Sequence, residues 1–127
     1  MQIQENSFPA LVAGMPPEVL RREFLVTGLF VPGELHLRWW ETDRTVVGGI
    51  CPTTTALTLP NPAELRATNF FERREAGLLN IGGPGIVAID GKEHRLERYD
   101  ALYVGRGAYA SVTFRSVDPA KPARFYL

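Results

Sequence analysis

The stretch Asn80–Phe114, NIGGPGIVAIDGKEHRLERYDALYVGRGAYASVTF, decides how the chain folds. Ile86–Ile89 is a continuous apolar run, the pattern of a strand buried on both faces. Asp90-Gly91 follows it. A two-residue hairpin turn needs positive φ, which Gly adopts freely, so this dipeptide predicts a tight hairpin. The apolar run Ala101–Val104 predicts a further strand, stopped by the turn Gly105-Arg106-Gly107. Tyr109–Val117 then alternates again. The whole stretch reads as a hairpin that continues into two more strands.

The flanking sequence carries the same signals. Leu29–Val31 reads as a strand stopped by Pro32-Gly33. Leu35–Trp40 is a strand with His36, Arg38 and Trp40 on one face and Leu35, Leu37 and Trp39 on the other. Thr45–Ile50 is rich in β-branched residues, and Gly48-Gly49 within it marks a bulge or a close backbone approach. Thr53–Leu59, Gly77–Ile81 and Arg124–Leu127 complete the predicted strands, and Ala63–Arg66 fits one helical turn. Pro16-Pro17-Glu18 opens a short helix reaching Phe24, since proline suits the first helical position and an acid the first turn. Leu25-Val26 fits either an extension of that helix or a strand. Residues 1–16 are polar and proline-bounded, as a mobile or docking arm would be. The predicted organisation is an arm and helix start over 1–19 and one domain over 20–127. The fold class is all-β, a sandwich or barrel with a short N-terminal helix, because turn signals recur at intervals of about ten residues. The pattern ends in mid-strand at Arg124–Leu127, as a sequence cut from a longer one would, and an unpaired apolar strand end is a liability.

A length of 127 residues fits one domain with one core, and 45% hydrophobic residues suffice to fill it. The formal net charge is zero, and Arg21-Arg22 and Arg73-Arg74 are each flanked by acids, so nothing points to nucleic acid. No apolar run approaches the length of a membrane span. The N-terminus lacks the basic and apolar regions of a signal peptide. Cys51 is alone, which rules out an internal disulfide, fits a reduced cytoplasmic setting and reads as a small buried apolar residue. His36 and His94 are the two histidines, scattered with no paired spacing. A zinc site needs three or four N or S ligands, so none is expected from this chain. A carboxylate-only site would suit Ca²⁺ or Mg²⁺ instead. Gly82-Gly83-Pro84-Gly85 neither follows the dinucleotide spacing nor opens a helix, so a phosphate loop is rejected. Its glycines serve backbone geometry, and Asp90 and Asp100 serve turns.

The order of these strands resembles the core of a cupin, a small double-stranded β-helix barrel. Cupins carry a first motif with a His-x-His pair, a Glu and a Gly, and a second with a Gly-Asp, a Tyr-x-Pro-x-Gly turn and a His. Tyr99–Gly107 matches the second motif's turn, with Gly105 where Pro is usual, and the position of its metal-binding His is Ala110. Counting back from Gly82 or Gly83 puts the first motif's Glu at Glu75 or Ala76. Its histidine pair falls among Thr68–Glu72, TNFFE, where there is none. The frame of a cupin is present without its metal ligands.

A closer resemblance runs from about Leu20 to Leu127. LRREFLV (20–26), Asp43-Arg44 with VGGI (47–50), FERREAG (71–77), NIGG (80–83), RYDALYVG (98–105) and PARFY (122–126) resemble, in the same order, the N-terminal half of the 5-keto-4-deoxyuronate isomerases, also called 4-deoxy-L-threo-5-hexosulose-uronate ketol-isomerases. The resemblance implies a cupin-like protein of pectin-derived uronate breakdown that assembles as a homo-oligomer. Its zinc is held by histidines and a glutamate in a second half that this sequence does not contain. It implies the interconversion of an aldehyde and a neighbouring ketone through an enediol. No metal ligand and no catalytic residue carries over onto this chain, which is expected to be inactive alone.

Six side chains and one turn residue remain as site candidates. Arg73 and Arg74 can clasp the carboxylate of an acidic sugar in a bidentate way, whereas the plainer reading of Glu72–Glu75 is a salt network between domains or subunits, with Glu72 and Glu75 at the interface. Arg106 sits at the barrel-mouth turn, facing a ligand or merely solvated. Trp39 and Trp40 put one indole on each face of a strand, one in the core and the other at an interface or stacked on a sugar. Two functions follow: the scaffold half of a ketol-isomerase, or a stand-alone metal-free cupin that binds a small acidic ligand or self-associates.

Overall fold

The computed structural model describes residues 1–5 and 7–127. Ten strands form two open sheets that share one core. In chain order the elements are β1 (Gln2–Gln4), α1 (Pro9–Val12), α2 (Pro17–Phe24), β2 (Leu35–Trp40), β3 (Thr45–Ile50), β4 (Leu57–Thr58), a 3₁₀ turn (Ala63–Leu65), β5 (Ala76–Asn80), β6 (Gly85–Ile89), β7 (Lys92–Leu96), β8 (Ala101–Val104), β9 (Val112–Ser116) and β10 (Phe125–Tyr126). The first sheet has the order β1-β2-β3-β10-β5-β8 and the second β4-β9-β6-β7. β1 runs parallel to β2, and the other pairs are antiparallel.

The deciding hairpin forms as its sequence predicts. Asp90 (φ 48°) and Gly91 (φ 83°) both have positive φ, the primed turn that matches strand twist. β6 is central, between β7 and β9, and its residues Gly85–Val87 are buried on both faces. The Asp90 carboxylate accepts the N–H groups of Ala110 and Ser111, each at 2.9 Å, which fixes the hairpin tip to the entry of β9. The two further strands do not simply extend this sheet. After β7 the chain turns at Glu97–Asp100, where Tyr99 has φ 73°, and β8 joins the far edge of the other sheet beside β5. β9 then returns beside β6. The chain changes sheets because crossing lets the inner faces of both sheets cover the same core.

That core contains Leu37, Ile50, Leu78 and Phe125 from the first sheet and Val87, Leu96, Val112 and Phe114 from the second. Phe114 and Phe125 meet across the interior with ring centroids 5.4 Å apart. Burying each such side chain contributes about 1.5–3 kcal/mol. The predicted alternation of β2 is realised: Leu37 is buried, and Leu35 and Trp39 pack against the core beside it. Cys51 is buried and free.

Several expectations are corrected. Leu29–Val31 is not a strand. The Leu29 backbone lies on the face of β3, against the spot where a Gly49 side chain would project. A segment lying on a sheet face cannot join its in-plane ladder. The same contact explains Gly48-Gly49 as a close approach, not a bulge, since the β2–β3 register runs unbroken from Leu35↔Ile50 to Trp40↔Thr45. Thr53–Leu59 shrinks to β4, whose two residues pair with β9. Leu25-Val26 extends neither helix nor strand; Leu25 is extended and closes α2 by donating its N–H to the Arg21 carbonyl. The terminal strand β10 is not an unpaired end. It lies inside the first sheet between β3 and β5, and Leu127 and Gly48 exchange both backbone hydrogen bonds at 2.7 and 2.9 Å.

The first residues are docked. β1 pairs with β2, and the Gln4 amide donates to the Arg22 and Glu23 carbonyls at 2.6 and 2.9 Å, which satisfies the open C-terminal end of α2. No helix among the described residues is long and apolar enough to cross a membrane.

Candidate functional site

The two sequence segments singled out by the cupin frame meet in space. Thr68, Asn69, Phe70, Phe71, Tyr109 and Ala110 line one cleft of about 220 Å³. Counting along the chain had placed a histidine pair in the first segment and a single histidine at Ala110. The space is instead closed by rings. Phe71 stands edge-on to Phe70 at 5.1 Å and to Tyr109 at 5.5 Å. Glu72 is the nearest carboxylate in sequence, and it is already engaged. It accepts the Thr68 N–H at 2.5 Å and the Thr68 hydroxyl at 2.7 Å, and it pairs with Arg73 at 3.1 Å. The Thr68 N–H contact is the main reason its carboxyl is held below the usual glutamate range. Hydrocarbon, a phenol, an amide and a threonine do not match the N, S and carboxylate donors that zinc takes, so the residues of this cleft do not fit a zinc ion. Among the described residues no three His, Cys, Asp or Glu side chains are grouped closely enough to hold a metal. His36 lies on β2 with its Nε2 2.7 Å from Glu34 Oε2, and His94 lies on β7 in the other sheet.

The arginine candidates separate. Arg73 and Arg74 line a second cleft, of about 290 Å³, with Glu75, Phe70 and two residues from the start of β3. Arg44 joins them there from the β2–β3 turn, where its φ is 53°. Arg106 does not line this cleft; its charge acts on the Tyr103 hydroxyl. That hydroxyl donates to Glu75 at 2.6 Å, which raises the Tyr103 pKa.

Arg74 packs against two aromatic rings. Its guanidinium carbon lies 5.7 Å from the centroid of Trp39 and 5.9 Å from that of Phe70. Guanidinium groups favour such aromatic faces. Its Nε is buried without a hydrogen-bond partner, and burial lowers its pKa from the ordinary guanidinium value. The two indoles take opposite roles. Trp39 packs on the core and its Nε1–H donates to Glu41, while Trp40 lies on the outer face with Val47 and Tyr126.

Sequence reasoning singled out Arg73 and Arg74, and named as a candidate neither Arg44, which lines the same cleft, nor Tyr103, which engages Glu75. Asp43-Arg44 appears among the family-like pieces, yet no spacing signal links it to a segment so far along the chain.

No protein-family model matches the chain. Curated relatives do. A 4-deoxy-L-threo-5-hexosulose-uronate ketol-isomerase of Kineococcus radiotolerans is 52% identical over 130 residues, covering 100% of this chain and 46% of that protein. A protein of the same name from Enterococcus faecalis is 43% identical over 100% of this chain and 46% of its own length. One from Lachnospira eligens is 40% identical over 99% of this chain and 45% of its own length. The chain thus spans about half the length of the curated relatives it matches. Over its entire sequence, and to an extent consistent with their N-terminal half, the chain is homologous to proteins named 4-deoxy-L-threo-5-hexosulose-uronate ketol-isomerase.

Proposed function

We propose that this chain is the N-terminal scaffold half of a ketol-isomerase that interconverts 5-keto-4-deoxyuronate and a 2,5-diketo sugar acid in uronate breakdown. In this reading residues 20–127 form a cupin-type domain whose mouth carries no metal ligands. Zinc and the reacting groups belong to the other half of the longer protein. The whole assembles as a homo-oligomer in the cytoplasm. The observation that carries the reading is the match of the entire chain to proteins of that name over just under half their length. It is supported by the aromatic lining of the cleft, where Phe70 and Phe71 lie in the segment that the cupin pattern gives to its histidine pair and Tyr109 adjoins Ala110, the place of its single histidine.

The test is turnover with metal analysis. The purified chain is expected to hold no stoichiometric zinc and to show no aldose–ketose isomerisation. The same chain fused to the remaining part of the Kineococcus radiotolerans protein is expected to turn over. One zinc per chain with activity in the isolated chain overturns the proposal, and so does an inactive, well-folded fusion. The arginine-lined cleft favours a second reading, a metal-free module that binds a small acidic ligand.

A further inference from the structure

We propose that Arg44 and Arg74 form a carboxylate-binding site in the cleft at the start of β3, one that takes a small organic acid through two guanidinium groups. The two arginines come from segments far apart in sequence and line one cavity of about 290 Å³. That size is near the lower end of the roughly 300–1,000 Å³ range of small-molecule pockets.

The charge balance of the cleft decides the sign of its ligand. Arg73 is paired with Glu72 at 3.1 Å. Glu75 is the carboxylate lining the cleft, and the Tyr103 hydroxyl engages it at 2.6 Å. Arg44 and Arg74 have no ion pair among the described residues. The cleft therefore holds two arginines outside any ion pair against the single carboxylate of Glu75, an excess of positive charge.

Geometry adds to charge. Trp39 and Phe70 hold the Arg74 guanidinium within 6 Å of their ring centroids. The two rings pack against the Arg74 guanidinium and restrict it before binding, which lowers the entropic cost of clasping a carboxylate by two parallel hydrogen bonds. A phosphate would also be attracted by two cations, but the planar fork suits a planar carboxylate.

This inference rests on the cleft alone and not on the isomerase reading, so a binding titration and a turnover assay fail separately. The experiment titrates the full chain with sodium D-galacturonate and follows Trp fluorescence, because Trp39 lies under Arg74. D-galactose, which lacks the carboxylate, and inorganic phosphate are titrated in parallel. A saturable response to galacturonate is expected, weakened about tenfold or more in Arg74→Gln and in Arg44→Asn, as loss of a charge-assisted hydrogen bond implies. Galactose is expected to give none, and phosphate a weaker one. Arg44→Asn preserves the positive-φ turn, so it decides the matter if Arg74→Gln fails to fold. An absent response, an equal response to galactose, tighter binding of phosphate, or galacturonate binding unchanged in Arg44→Asn overturns the proposal.

Discussion

Asn80 shows at the level of one residue how this fold resolves a buried polar group. It is fully buried at the end of β5. Its amide donates to the carbonyls of Gly83 at 2.8 Å and Leu96 at 3.1 Å. Its oxygen accepts the N–H groups of Gly82 at 3.1 Å and Arg124 at 3.2 Å. One side chain thus joins β5, the glycine turn, the end of β7 and the approach to β10. Asn80→Leu keeps the branched shape and strands these partners, each at about 1–3 kcal/mol. A loss of about 3 kcal/mol or more in urea unfolding is expected, and a loss below about 1 kcal/mol would contradict the role. Glu72 gives a pH signature. Its folded pKa lies below the ordinary value, so its contribution is present above the unfolded pKa of about 4.3 and lost as pH falls through the folded value. Glu72→Gln is expected to unfold at lower urea than the parent at pH 7, with the gap narrowing below about pH 4.3 and closing in stronger acid. A gap that widens on acidification refutes this sign. Asn80 was visible in the sequence only as part of a glycine-rich turn, because burial of a single polar residue leaves no periodic trace.

At the level of elements, β3 is shaped by what crosses it. The Leu29 backbone occupies the space that a Gly49 side chain would fill, whereas nothing lies within 4 Å of a side chain added at Gly77 in β5. Gly49→Ala is therefore expected to cost about 1–3 kcal/mol by overpacking against backbone. Gly77→Ala, at an open site, is expected to be neutral or stabilising by a few tenths of a kcal/mol. Thermal midpoints of the two variants measure the difference, and equal midpoints would dismiss the close approach. The glycine pair in a β-branched run announced some such device. The sequence could not say whether it was a bulge or a crossing, because the crossing segment is specified only by the packing of residues 25–31 over the sheet.

For the molecule as a whole, the outer face of the first sheet matters most. Trp40, Val47 and Tyr126 line a shallow surface there with Phe24, and Tyr103 and Leu79 are exposed on β8 and β5. In the proposed homo-oligomer, Trp40 is the indole available to a partner subunit, since Trp39 is packed on the core. Light scattering of the purified chain is expected to report a species larger than a monomer, shifted toward monomer by Trp40→Ser. A monomer at high concentration would remove the interface role. Of the candidate residues, the pattern of the sequence put one indole on each face of β2 without saying which meets the core, and it set Arg106 apart from Arg73-Arg74. It could not place Arg44 beside that pair.

Local chemistry alone determined where most strands begin and end, the Asp90-Gly91 hairpin and the helix opened by Pro17, because periodicity and turn preference act within a few residues. Tertiary structure alone decided that β10 lies between β3 and β5, that β8 and β9 part to different sheets, and that Arg44 and Arg74 share a cleft. Strand partners are chosen by how two apolar faces close over a common core, and that choice depends on the whole chain at once.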